Sequence, residues 1–365
     1  MRRASWRWLG FALLGACSFQ HGVIGDIDGA RGSDATAYDA CYGSGLFHTC
    51  LTAPPPSMFA SGSTLDTSTS TACALVAQTD GPTVCLIAAQ AIVIDDNVSV
   101  IGSYPLVLLG TDTIAVNGAI DVSSHRSSAV VGAGANWSGC NMPTAAGPNT
   151  GGAGGGAGGS FGSIGGAGGE GNNTSTPNVG TAGGAAAPQT PMMIRGGCAG
   201  DLGAVGLSPT SPGARGDSGG AVYLLAGTSI TVNQWIAASG AGGGAGTDDG
   251  GGGGGGAGGL IGLEAPTITV TAIVAANGGG GGGGGDGTPS AGGPGDDGSV
   301  TTTVAASGGL RTASYDTTGG TGGVSAVAAG AGTSNPAAGG GGGGSTGVIY
   351  IKGALTGASY LSPPP

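Results

Sequence analysis

The sequence has few of the side chains that carry chemistry. Charged residues make up 8% of the 365 residues and aromatic residues 4%. Lys352 is the one lysine, which excludes a Gly-Lys-Ser/Thr phosphate-binding loop and nearly all lysine-dependent catalysis. The chain has no His-Glu-x-x-His and no Cys-x-x-Cys motif, the patterns typical of zinc proteases and of zinc or redox sites. The sequence therefore indicates no reaction.

Glycine, by contrast, is abundant, with 88 of the 365 residues where ordinary proteins have roughly 7%. The glycine-rich runs are 151–171, 240–259, 278–293 and 339–344. A free glycine loop has the highest backbone entropy of any sequence. These runs are either disordered excursions or strands packed in a left-handed, polyproline-II-like form, which glycine allows because no Cβ intervenes. We favour ordered packing, because the alanine and serine interruptions keep the surfaces small.

The N-terminus has the pattern of a secretory signal. Arg2 and Arg3 precede a short apolar run, Leu9 to Leu14, and small residues then lead to Cys17. The run is far shorter than the roughly 20 apolar residues of a membrane span. The motif Leu-Gly-Ala-Cys resembles the bacterial lipobox, which implies an acylated Cys17 as a lipid anchor to the membrane. A plain signal peptide is the alternative. Ser18 after the cysteine implies, by the family sorting rule, the outer membrane or cell surface of a Gram-negative bacterium.

Removal of residues 1–16 takes away three arginines and lowers the net charge from −11 to −14. The basic residues that remain are Arg31, Arg126, Arg195, Arg215, Arg311 and Lys352. Because they are scattered along an acidic chain, the sequence predicts no nucleic-acid partner.

The cysteine count favours disulfides. Seven cysteines less the lipid-carrying Cys17 leave six, an even number in an oxidising compartment. Fifteen pairings of six cysteines are possible. Neighbour pairing is the simplest, and it joins Cys41 to Cys50, Cys73 to Cys85, and Cys140 to Cys198.

Alternating apolar residues and an internal repeat predict an all-β fold. The segment 224–233 matches 108–117 at an offset of 116 and 262–271 at an offset of 38, and residues 348–351 begin another copy. Such short units bury their apolar faces only by stacking on neighbouring units. We expect a right-handed parallel β-helix or β-solenoid, with a glycine-rich β-sandwich with polyglycine-II-like segments as the alternative.

The predicted organisation has three parts. Residues 1–16 form the lipoprotein signal peptide, 17–40 a flexible tether, and 41–365 a glycine-rich β-solenoid domain. The long glycine-rich insertions of this domain are expected near 141–197, 240–259 and 278–344.

Several segments resemble one bacterial family. They are the lipobox, Cys-Tyr-Gly-Ser-Gly-Leu at 41–46, Pro-Leu-Val-Leu-Leu-Gly-Thr-Asp at 105–112, and the copies at 221–232 and 260–270. Together they are similar to the glycine-rich lipoproteins of the myxobacterial type, a resemblance that covers nearly the whole chain after the signal. The resemblance implies location and fold, and it implies no catalytic residue and no ligand.

Acidic residues in glycine-rich turns are candidates for weak calcium binding. Two matches to Gly-Gly-x-Gly-x-Asp occur singly, whereas the calcium repeat runs in tandem. The candidates are Asp248, Asp249, Asp286, Asp296 and Asp297. The alternative, which we favour, is that they are solvated turn carboxylates. We expect no other cofactor.

The composition favours a non-catalytic, lipid-anchored envelope protein with a structural, adhesion or matrix role. Its expected partners are the membrane, a surface polysaccharide, or further copies of itself. One alternative is a carbohydrate-active β-helix enzyme, a lyase or hydrolase, with Asp95, Asp96, Asp112, Asp121 and Arg126 as its candidates. That enzyme requires two carboxylates, or a carboxylate with Arg126, close together in a groove. A calcium-stabilised surface module is the third possibility.

Overall fold

The computed structural model describes residues 40–60, 62–149, 151–172, 179–206, 211–285, 291–310, 317–334 and 337–365. The predicted signal peptide, Cys17, nearly all of the predicted tether and Asp286 lie outside these ranges. The described chain confirms the all-β prediction, since its one helical element is a short 3₁₀ turn, Ala358–Tyr360.

The strands fall into a hairpin, six stacked rungs and one edge strand. In chain order they are β1 (Ala40–Tyr42), β2 (Thr49–Leu51), β3 (Met58–Ala60), β4 (Thr64–Asp66), β5 (Ala74–Val76), β6 (Val84–Ile94), β7 (Val98–Ile101), β8 (Leu106–Val116), β9 (Ile120–Asp121), β10 (Ala221–Ala226), β11 (Ser229–Val232), β12 (Ile236–Ala237), β13 (Leu260–Val270), β14 (Val274–Ala275), β15 (Val348–Thr356) and β16 (Leu361–Ser362).

Each rung adds a strand to each of two sheets. The large sheet stacks β3, β6, β8, β10 with β11, β13 and β15, and the small sheet stacks β4, β7, β9, β12, β14 and β16. Every pairing between rungs is parallel; the antiparallel pairs are the hairpin β1–β2 and the edge strand β5 on β6. Strands β10 and β11 both pair with β8 and β13, which closes a small ring of parallel strands.

The pairing register confirms the internal repeat. Ile230 lies opposite Ile114 on one side and Ile268 on the other, at the offsets of 116 and 38 read in the sequence. Val348 lies opposite Leu260, so residues 348–351 do begin another copy. The repeat therefore marks identical positions in successive rungs.

The core lies on both faces of the large sheet. Residues such as Leu108, Ile114 and Ile230 pack between the two sheets, and Leu109 packs on the opposite face with Phe161. Because the first halves of β6, β8, β10 and β13 are buried on both faces, their sequences are continuous apolar runs.

The glycine-rich segments between the rungs form a second structure, the glycine bundle (147–149, 151–172, 179–206, 211–220, 238–259, 276–285, 291–310, 317–334 and 337–347). The bundle segments are joined by backbone hydrogen bonds. They lead straight into the large sheet, since Gly220, Gly259 and Gly347 each precede the first residue of a strand. The ordered-packing interpretation of the glycine runs is thus confirmed for the described residues.

The hydrogen bonds of segment 250–259 recur with a period of three, the period of a polyproline II helix. Gly251, Gly254 and Ala257 donate to segment 198–204 at 2.9–3.0 Å. The intervening N–H groups alternate between segments 339–345 and 238–244. The carbonyl groups accept from three further segments, 156–159, 213–219 and 279–285. Segment 250–259 therefore has six hydrogen-bonded neighbours.

Close approach of backbones explains why these positions are glycine. A Cβ added to Gly254 would overlap the carbonyl oxygen of Ala157, and one on Gly344 would overlap that of Gly256. Gly62, outside the bundle, has nothing within 4 Å of such a Cβ.

Candidate functional site

Three disulfides tie the structure together, and they are the bonds that neighbour pairing gives. Cys41–Cys50 joins β1 to β2, and Cys73–Cys85 joins the segment before β5 to β6. Cys140–Cys198 joins the segment before the bundle to the bundle, over a separation of 58 residues. Together they use every cysteine of the described residues. They hold the chain in place and leave no thiol there for chemistry.

One cluster in the described part of the chain has three potential metal ligands within 4.8 Å of one another, and it is Cys41, His48 and Cys50. Both of its sulfur atoms belong to a disulfide. Because a metal binds the thiolate and not the disulfide, this cluster is not a metal site in the oxidised protein.

The hairpin β1–β2 is held on the large sheet by Glu264, a buried residue of β13. Its carboxylate accepts hydrogen bonds from the N–H of Ser44 at 2.7 Å, the N–H of Gly45 at 3.2 Å and the hydroxyl of Tyr223 at 2.5 Å. Burial and the neighbouring carboxylate raise the pKa of Tyr223 above its ordinary value. Lys352 donates to the carbonyl of Ser44 at 2.5 Å. This arrangement is a structural clamp, because every polar group in it has a partner.

The second polar cluster consists of Asp121, His125 and Asp297. The Nε2 atom of His125 lies 3.1 Å from Asp121 Oδ2, and its Nδ1 atom lies 3.7 Å from Asp297 Oδ2. Asp297 also accepts the N–H groups of Gly242 at 2.9 Å and Arg126 at 3.1 Å. The cluster therefore joins the end of β9 to two segments of the glycine bundle.

The cluster is charged at neutral pH. The hydrogen bonds to the two carboxylates raise the pKa of His125 to about 10. Burial alone would raise the pKa values of Asp121 and Asp297, but the hydrogen bonds from His125 and from backbone N–H groups bring both below the ordinary value. One imidazolium thus lies between two carboxylates.

This cluster bears on the enzyme alternative. Arg126, Ser127 and residues 294–297 line an open groove of about 480 Å³ beside it. Arg126 meets Asp297 through its backbone N–H. Both carboxyl groups ionise readily, so neither has the raised pKa that a general acid needs near neutral pH.

The structure does not gather the other enzyme candidates with this cluster. Asp95 and Asp96 are exposed in the turn between β6 and β7, and Asp95 accepts a hydrogen bond from Asn117 at 2.9 Å. Asp112 is exposed in β8.

The calcium candidates lie at the edges of the bundle. Asp248 has a left-handed backbone, φ 52°, next to Asp249 in a turn. Asp296 is exposed, whereas the carboxylate of its neighbour Asp297 is occupied by His125 and two N–H groups. No three carboxylates of the described residues lie within 4.8 Å of one another. Calcium binding stays a prediction.

Sequence reasoning missed the roles of His125 and Glu264. A signal existed for Glu264, which is one of two glutamates in the chain and interrupts an apolar strand. His125 gave no signal, because its partner Asp297 is 172 residues further along the chain.

The described residues contain no helix with the length and hydropathy needed to cross a membrane.

No protein-family model, curated protein or solved structure matches this chain.

Proposed function

We propose that the protein is a non-catalytic cell-envelope module with a structural, adhesion or matrix role. In this proposal Cys17 carries a lipid anchor that holds the protein at the outer membrane or surface of a Gram-negative bacterium, as the lipobox pattern implies. We assign it to the glycine-rich lipoproteins of the myxobacterial type. We also interpret the stack of rungs as a right-handed parallel β-helix, since successive rungs pair in parallel and the chain passes through the small sheet between strands of the large sheet.

The observation that carries the proposal is the six-neighbour hydrogen-bond lattice around segment 250–259. A lattice of backbone groups, with hardly any room for side chains, provides stiffness but no reactive groups. The acidic and histidine side chains that do occur together, Asp121, His125 and Asp297, are engaged with one another and with the backbone. Such an architecture favours a rigid spacer or display element.

Partner contacts are expected on the exposed rim. Large apolar side chains are exposed at Met142, Leu202 and Leu310, with 85%, 53% and 71% of their surface accessible. We propose these side chains as the points of contact for lateral self-association or for a surface polysaccharide.

The proposal is tested in the native host or in a Gram-negative surrogate. We expect wild-type protein to incorporate radiolabelled palmitate, to fractionate with the outer membrane and to be accessible to protease on intact cells. Cys17→Ser should abolish the label and release the protein. Palmitate labelling that survives Cys17→Ser, or a protein found in the cytoplasm, would contradict the proposal.

The carbohydrate-active enzyme is the second candidate, because the groove beside Asp297 holds a carboxylate next to Arg126. It predicts release of reducing ends or unsaturated products from a polysaccharide, and loss of that release in Asp297→Asn. We expect no release from wild-type protein.

A calcium-stabilised module is the third candidate. It predicts a higher melting temperature in millimolar Ca²⁺, and we expect no shift of the melting temperature.

A further inference from the structure

A concave pocket lies beside the Cys140–Cys198 disulfide, between residues 136–143 and the glycine bundle. Its volume is about 290 Å³, at the lower end of the range for small-molecule sites. Trp137, Asp201 and Arg215 stand on its walls. We call it the Trp137 pocket.

Three glycines of the bundle line the Trp137 pocket. Gly158, Gly159 and Gly200 lie in it, and their N–H groups donate at 2.8–3.0 Å to other segments of the bundle. Because these backbone hydrogen bonds fix the three glycines, this part of the pocket lining is preformed. A ligand there can approach the backbone closely.

The guanidinium of Arg195 packs against the ring of Trp137. The guanidinium of Arg195, with 1% of the residue accessible, lies 4.4 Å from the ring centroid of Trp137 and 4.2 Å from that of Phe161. It donates to Gly196 O and to Gln189 Oε1, each at 3.1 Å. Arg195 therefore covers one face of the indole, Gly139 lies against its six-membered ring, and Trp137 is half-buried where it lines the pocket.

Asp201 and Arg215 line the same pocket as Trp137, and no salt bridge within 4 Å joins them. Among the described residues, ion pairs within 4 Å involve only His125. Asp201 accepts the N–H of Leu202 at 2.9 Å, and partial burial raises its pKa. Arg215 is exposed. A carboxylate that accepts and a guanidinium that donates therefore face the same small space.

We infer that the Trp137 pocket binds a neutral saccharide unit. An aromatic ring packs against the apolar face of a sugar, while the hydroxyl groups donate to a carboxylate and accept from a guanidinium. The inference deepens the adhesive role proposed above and rests on it. The charges of Asp201 and Arg215 offset each other, and the chain as a whole carries −11, so an anionic sugar gains little here.

The first experiment reads Trp137 directly. In the full chain with Trp6, Trp8 and Trp235 replaced by phenylalanine, Trp137 is the one remaining indole. Its emission is titrated with cellotetraose, maltotetraose, mannotetraose, triacetylchitotriose and, as the anionic probe, trigalacturonate. We expect at least one neutral probe to shift the emission saturably, and trigalacturonate to bind at least about tenfold more weakly than that probe. Failure of all four neutral probes, or equal binding of trigalacturonate, overturns the inference.

The second experiment places the ligand. By calorimetry with the best neutral probe, Trp137→Ala, Asp201→Asn and Arg215→Gln should each weaken binding about tenfold. Trp137→Phe should restore most of the loss in Trp137→Ala, because it keeps a ring over Arg195. The matched controls Trp235→Ala and Asp296→Asn should bind like wild type. If the controls weaken binding as much as the pocket variants, or Asp201→Asn and Arg215→Gln have no effect, the pocket is not the site.

These outcomes are separable from failure of the proposed function. Palmitate labelling and surface exposure report the envelope location without any sugar, whereas the titration uses purified protein without any membrane.

Discussion

The two sheets and the glycine bundle differ in how many neighbours each backbone segment meets. A strand such as β8 forms ladders with the rungs on either side, β6 on one and β10 with β11 on the other, and buries side chains on its faces. Segment 250–259 of the bundle has six hydrogen-bonded neighbours and almost no side chains. The sheets repeat every two residues and the bundle every three.

The difference shows what each region needs from its sequence. The sheets are stabilised by apolar side chains packed between and outside them, so removal of side-chain volume should weaken them. The bundle is stabilised by backbone hydrogen bonds between closely spaced segments, so addition of volume should weaken it. Glycine makes the bundle possible but also raises the entropy of the unfolded chain. We therefore expect a large role for Cys140–Cys198, the bundle disulfide, which joins the bundle to the segment before it.

Loss of the bundle disulfide has the largest expected effect. Replacing Cys140 and Cys198 together by serine opens a loop with a separation of 58 residues, and we expect the free energy of unfolding to fall by about 4 kcal/mol. Replacing Cys41 and Cys50 opens a separation of 9 and should cost about 3 kcal/mol. Urea unfolding of both double variants measures the difference. A smaller loss for the bundle pair than for the hairpin pair would show that the bundle is already constrained without its disulfide.

Removal of volume tests the sheets. Ile114 is 1% accessible and packs between the two sheets, so Ile114→Ala leaves a cavity and should cost about 3 kcal/mol. The control Leu75→Ala alters an edge residue that is 55% accessible and should change stability by less than about 1 kcal/mol. Equal effects of the two substitutions would contradict the assigned core.

Addition of volume tests the bundle. Gly254→Ala places a methyl group against the carbonyl of Ala157 and should cost about 2 kcal/mol. Gly62→Ala adds the same methyl group where nothing lies within 4 Å, and it should be neutral or slightly stabilising. Thermal unfolding monitored by circular dichroism compares the pair. A Gly254→Ala protein as stable as Gly62→Ala would mean that segment 250–259 is not packed as described.

The His125 cluster, which joins the sheets to the bundle, has the smallest expected effect, below about 1 kcal/mol because it is partly exposed. The folded pKa of His125, about 10, lies above the unfolded value of 6.5. The contribution of His125 to the free energy of unfolding is therefore complete below pH 6.5 and is lost as the pH rises from 6.5 to 10. Asp121 and Asp297 have lowered pKa values, so their contributions to the free energy of unfolding are lost as the pH falls below about 4. Urea unfolding between pH 5.5 and 9.5 should show the alkaline decline in wild type and not in His125→Gln. An unchanged decline in the variant would assign it to other groups.

The rungs could be predicted from the sequence because they have distinctive side chains. The match of 224–233 to 108–117 and 262–271 gave the observed register. The rungs of β3 with β4 and β6 with β7 share too little sequence with these copies to be found by the repeat. The alternation of Ile92 and Ile94 predicts a strand at these residues, but it does not show which strand pairs with it.

For the bundle, the sequence predicts ordered packing but not which segments pack against one another. Glycines are identical to one another, so the sequence favours ordered packing without saying that Gly254 lies against Ala157. The polar clusters depend on that packing: Glu264 meets Ser44 from 220 residues away and Asp297 meets Arg126 from 171 residues away. The Trp137 pocket was not foreseen for the same reason.

Amide hydrogen exchange of the glycine bundle tests the central claim most directly. With ¹⁵N-glycine labelling, exchange at Gly251 to Gly256 is compared with exchange at Gly110 and Gly262 in the large sheet, in the same sample. We expect protection in the bundle to match that of the sheet within about an order of magnitude, since the N–H groups of Gly251 to Gly256 are hydrogen-bonded and buried, and Gly110 and Gly262 lie in buried, paired strands. Exchange of Gly251 to Gly256 at the rate of an unstructured chain, beside a protected sheet, would contradict the lattice.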